Sequence, residues 1–142
     1  MTDLAMRVAA AATLIWLGMV LAISFLEAPL KFRAKGLELP VGLAIGRIVF
    51  RALNIAEVVW AVVIAVCLTI APSSRPVLVL AVAAAVLLAV QLVVVRPRLN
   101  RRSAAVLAGQ DAPRSRAHHA YIGLEALKLA ALVALGATLL AG

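Results

Sequence analysis

This sequence has little charge. Only 14% of its 142 residues are Asp, Glu, Lys or Arg, whereas 65% are hydrophobic and the mean hydropathy is +1.11. A soluble domain of this length has too little polar surface to cover so much apolar side chain, so most of the chain must be solvated by lipid. Acids are scarcer still, six against fourteen Lys and Arg, for a net charge of +8. In a soluble protein that excess would point to nucleic acid. Here the bases fall mainly between apolar runs, which points instead to the lipid bilayer, with anionic headgroups at the basic loops, and away from nucleic acid. One cysteine, Cys67, excludes an intrachain disulfide and a thiolate metal cluster; inside an apolar run it reads as a small residue at a helix interface. A Walker-type phosphate loop, a GxSxG elbow and a CxxC pair are all missing, so the usual enzyme signatures are absent and no cofactor is expected.

What is present is four long apolar runs. The first, residues 4–27, opens like a signal peptide, but it is too long for an h-region and has no small-residue cleavage site before a soluble domain, so it is read as a retained span. It is expected to stop before Pro29, because the residue preceding a proline is pushed out of helical geometry. The second span covers 41–70, the third 76–95, ending at Arg96-Pro97, and the fourth 118–140. Spans of about 20 residues each fill nearly the whole chain. No repeat or low-complexity tract marks a second domain, so the expectation is one all-α, polytopic bundle of four transmembrane helices over 1–142. The longest connection, 96–117, could hold a short amphipathic helix.

Basic residues set the orientation. The 28–40 loop carries Lys31, Arg33 and Lys35, and the 96–117 loop carries Arg96, Arg98, Arg101, Arg102, Arg114 and Arg116, against Arg7 and Arg75 on the other side. By the positive-inside rule both basic loops face the cytoplasm and both termini face out, which in a bacterium means the inner membrane.

Topology gives the polar residues within the spans a depth. On the fourth, Glu125 lies about 10 Å and Lys128 about 15 Å along the helix from His118; on the second, Arg47, Arg51 and Asn54 lead to Glu57. Ser24 and Glu27 close the first span, and Gln91 lies near the end of the third. Nearly all of these sit in the cytoplasmic half. At about 100° per residue, His118, Tyr121, Glu125 and Lys128 share a sector of roughly 80°, and Arg47, Arg51, Asn54 and Glu57 one of roughly 120°. Against lipid, such stripes are unfavourable by a few kcal/mol per charge, so they should face one another or a wet cavity. The least costly pairing joins Glu57 to Lys128 and Glu125 to Arg51, with Asn54, Gln91 and Glu27 supplying hydrogen bonds. Two uses of this cluster are open: a polar tie that fixes helix register, or a cytoplasm-facing vestibule for an ion, a proton or a small polar solute. A membrane subunit with a lipid or quinone site is the competing class. Catalysis is not expected, since nothing identifies a substrate.

Adjacent His118 and His119 point about 100° apart and do not form the i, i+4 clamp a metal prefers. "GLAIG" at 42–46 is a GxxxG, which allows close helix packing and leaves a homo-oligomer or a larger membrane complex open.

Three stretches, "SFLEAPLKFRAKG", "GRIVFRALNIAEVVW" and "HHAYIGLEALKLA", resemble those of a family of small uncharacterised bacterial inner-membrane proteins with four spans. More distantly, their spacing is similar to a four-helix family that includes a small eukaryotic transmembrane protein associated with cisplatin resistance. There a histidine opens the last helix and an asparagine follows two turns later, where His118 and Glu125 stand here. The resemblance implies the four-span fold and no particular activity.

Overall fold

The computed structural model describes residues 1–113 and 116–142; Arg114, counted above among the loop bases, lies outside the described residues. Four helices are long and apolar enough to cross a membrane: α1, Thr2–Lys31; α2, Leu39–Ile70; α3, Arg75–Leu107; and α4, Arg116–Ala141. Among the described residues there is no strand. Helix α1 packs on α2 and α4, and α3 packs mainly on α4, so each of the four reaches a common interior.

Two helices run further than their prolines predict. α1 continues past Pro29 and α3 past Pro97, each by way of a π-helical stretch, Leu21–Glu27 and Gln91–Val95. There the Ala28 amide reaches back five residues to the Ile23 carbonyl, and the Arg96 amide to that of Gln91. A proline ring collides with the carbonyl four residues before it in a regular α-helix. For Pro29 and Pro97 those carbonyls belong to Phe25 and Val93, inside the widened stretches, which accommodate the ring without a break. The third helix therefore does not end at Arg96-Pro97 as expected: the first half of the 96–117 connection is a continuation of α3. That helix stops at Gly109, whose φ of 80° suits the left-handed cap position. The Gly109 amide bonds to the Val106 carbonyl and the Gln110 amide to that of Ala105, the paired closure of a Schellman motif. The α1–α2 turn places Gly36 at φ 81°, a left-handed conformation that glycine adopts without steric cost.

Small residues let the helices approach. Ala5, Ala9 and Ala10 of α1 pack with Cys67 and Ala71 of the α2 end, Val77 and Leu135 at the end of the bundle that carries both termini. Deeper in, Ala12, Trp16, Val20, Ile64, Ala84, Leu88 and Leu132 form a second apolar layer. Thr13, fully buried, is satisfied by donating to the Ala9 carbonyl at 2.8 Å.

The distribution of polarity is the reverse of a water-soluble protein's. Lys128 is 0% exposed and Glu57 and Glu125 are each 1% exposed, while Val93 is 74% and Ile48 72% exposed. A surface that apolar is one that hydrocarbon covers at no cost and water does not.

Candidate functional site

Lys128 projects from α4 into the centre of the bundle, where three oxygens surround its Nζ. It forms an ion pair with Glu57 Oε1 of α2, a second with Glu125 Oε2 of its own helix at 2.9 Å, and donates to Gln91 Oε1 of α3 at 2.7 Å. The i, i+3 spacing of Glu125 and Lys128 places them on one face of α4. Helix α1 completes the layer from two sides. Trp16 Nε1 donates to Glu57 Oε1 at 3.0 Å, and Ser24 Oγ donates to Glu125 Oε1 at 2.6 Å. Gln91 Nε2 donates to Glu125 Oε2 at 2.5 Å. All four helices thus contribute to one layer in which two carboxylates share one ammonium. The π-helical stretches contribute directly, since Ser24 lies in one and Gln91 opens the other.

The Glu57–Lys128 pairing is as the helical phase predicts, and Gln91 joins it. The pairing of Glu125 with Arg51 is not formed. Six residues separate Arg51 from Glu57, which at about 100° per residue puts them some 120° apart on α2, so when Glu57 faces the core Arg51 turns outward, where it is exposed. Asn54, half-buried between them, makes no bond to the layer. Glu27 does not reach it either; it pairs with Lys31, one turn along α1, at 3.4 Å.

Below this layer, towards the end of the bundle where the two basic connections lie, is a cavity of about 540 Å³. Its walls are the end of α1, the start of α2, the end of α3 and the start of α4. Arg47, His118 and Tyr121 line it, and Glu125 stands where it meets the charged layer. The cluster read from sequence is therefore two structures: a buried layer of Glu57, Gln91, Glu125 and Lys128, and a cavity that takes Arg47, His118 and Tyr121.

No protein-family model, curated protein or solved structure matches the chain. The site is therefore read from its geometry.

Two of its residues were not legible as site residues. Trp16 reads in sequence as an ordinary apolar residue, although an indole N–H within a span needs an acceptor, and that requirement is the signal that could have found it. Arg96 reads in sequence only as a loop base. In the structure its guanidinium carbon lies 4.7 Å from the Phe50 ring centroid and 5.4 Å from that of Tyr121, so it is stacked against aromatic faces inside the cavity wall. Phe50 and Tyr121 themselves meet edge to face, with centroids 5.8 Å apart. The GxxxG glycines also have a local use. A Cβ on Gly42 would collide with the Phe32 ring, and one on Gly46 would lie 3.0 Å from Lys31 Nζ, so this face of α2 receives the end of α1.

Proposed function

We propose that this is a four-span inner-membrane protein whose basic end faces the cytoplasm and whose termini lie outside, and that its cavity receives a small solute from the cytoplasmic side without transforming it. The observation that carries the proposal is the division of the polar cluster into an open cavity and a closed layer: about 540 Å³ of space ends against Glu125, beyond which Lys128 and Glu57 are fully buried and engaged with each other. A lysine held by three oxygens ties the bundle and serves as a floor; it is not presented to a solute. The volume lies within the roughly 300–1,000 Å³ range of small-molecule sites. The excess of Lys and Arg at this end supports its cytoplasmic placement. Helix α3, at about 1.5 Å per residue, is long enough to carry its Arg98, Arg101 and Arg102 beyond a hydrocarbon layer about 30 Å thick.

The test is access from one side. In a Cys67→Ala background, Leu99→Cys places a thiol in the cavity wall and Leu132→Cys places one in the sealed apolar layer. A membrane-impermeant maleimide should label the first in inverted vesicles and not in right-side-out ones, and the second in neither. Labelling of Leu99→Cys from the opposite face overturns the orientation; protection from both faces overturns the cavity.

A further inference from the structure

The cavity wall contains a cation, Arg96, that forms no ion pair among the described residues. Arg96 Nε and Nη2 are buried and, among the described residues, neither finds a hydrogen-bond partner; the buried Tyr121 hydroxyl, whose ring stacks on the same guanidinium, finds none either. Buried guanidinium donors are normally paired, because leaving them unpaired forfeits hydration with nothing in return. Glu125, the one acid among the described residues of the wall, is committed to Ser24, Gln91 and Lys128. The other cations of the wall do not relieve the shortage. Lys31 pairs with Glu27 at 3.4 Å, Arg102 Nε donates to the Ala112 and Pro113 carbonyls, and Arg47 adds a further positive charge. Ser24, Asn100, Ser103 and His118 are the remaining polar residues of the lining, and most of what is left is hydrocarbon and aromatic ring, including Phe25, Phe32, Leu39, Leu43, Leu99 and Ile122.

Resting on the reading of this cavity as a ligand site, we infer that its ligand is an anionic amphiphile: a compact oxyanion head, phosphate or carboxylate, bearing an aliphatic chain. The planar fork of a guanidinium matches such a head through two parallel N–H donors, and the Tyr121 hydroxyl supplies a third. Phe50 and Tyr121 already pack against the guanidinium before the ligand arrives, which reduces the ordering left to be done on binding. The apolar wall takes the chain. A cationic amphiphile meets Lys31, Arg47, Arg96 and Arg102 with like charge, a neutral one leaves the Arg96 donors unpaired, and a free anion leaves the apolar wall to water.

The experiment uses the full chain in maltoside micelles, with binding followed by native mass spectrometry and by the shift in melting temperature. Dodecyl phosphate and dodecanoate represent the amphiphile, inorganic phosphate the free anion, and dodecyltrimethylammonium the charge control. One dodecyl chain should bind per protein through either anionic head, roughly tenfold or more tightly than inorganic phosphate or the cationic amphiphile. Arg96→Gln should remove that margin, and Arg98→Gln, on an exposed residue two positions along, should not. Leu43→Trp, which fills the cavity and leaves every cation in place, should weaken dodecyl phosphate and leave inorganic phosphate unchanged. Equal binding of inorganic and dodecyl phosphate overturns the amphiphile in favour of a free anion. Unchanged binding in both Arg96→Gln and Leu43→Trp, or equal binding of the cationic chain, overturns the site. A cavity that passes the thiol-access test and fails here remains a solute site for another class of ligand.

Discussion

Replacing Lys128 by Met tests the charged layer most severely. Methionine keeps the length and apolar stem of lysine and removes only the ammonium, so packing changes little and the electrostatic loss is isolated. The two carboxylates it serves are left in unequal positions. Glu125 keeps donors from Ser24 at 2.6 Å and Gln91 at 2.5 Å, whereas Glu57 keeps Trp16 alone, and its Oε2 has no partner even in the intact protein. Breaking a buried pair by removing one partner costs about 3–5 kcal/mol, and Glu57 is the group that bears it. Adding Glu57→Gln removes the stranded charge, so the double variant should recover at least half of the loss, while adding Glu125→Gln should recover distinctly less. The assay is equilibrium unfolding in mixed maltoside and dodecyl sulfate micelles, arranged as a double-mutant cycle. Additivity of Lys128→Met and Glu57→Gln to within about 0.5 kcal/mol would show that the pair does not interact and would refute the layer as described.

Other perturbations follow from the same contacts. Trp16→Phe keeps the ring and deletes the donor to Glu57, and in the same unfolding assay it should cost about 1.5–3 kcal/mol, the range for hydrogen bonds to charged groups. Gly42→Ala drives a methyl into the Phe32 ring and should destabilise by about 1–3 kcal/mol, with Phe32→Ala restoring most of it; if Gly42 instead serves contact between two copies, Gly42→Ala will change the oligomeric state and Phe32→Ala will not rescue it. Gly18→Ala, where a Cβ meets nothing within 4 Å, should be neutral or stabilising by up to about 1 kcal/mol in the same measurement. A reporter fused after Gly142 should be active only if it functions outside the cytoplasm; activity of a cytoplasmic reporter would invert the orientation.

The four helices are plain in the hydropathy of the chain, because lipid leaves so few ways to satisfy a backbone that length and apolarity nearly define a span. The Glu57–Lys128 pair follows from the cost of unpaired charge in that medium. Sequence reasoning fails where local rules meet their exceptions. Pro29 and Pro97 read as stops, and the π-helical stretches that carry the chain through them leave no mark in composition. With the helix expected to stop at Pro97, Arg96 reads as a loop base, so its contact with the Phe50 and Tyr121 rings could not be anticipated. Arg51 departs from the expected pairing because a sector some 120° wide has two edges, and a long side chain at the outer edge extends away from the core.

Whether the charged layer is a closed floor or a passage is read most directly from proton flux. Purified protein reconstituted into liposomes holding a pH-sensitive dye is given a pH step in the presence of a potassium gradient and valinomycin. A floor in which Lys128 is engaged by Glu57, Glu125 and Gln91 and is wholly shielded from solvent should give the same slow decay as protein-free liposomes, with Glu57→Gln and Glu125→Gln no different. Flux well above the protein-free rate that either substitution abolishes would contradict it, and would make the two carboxylates a proton path.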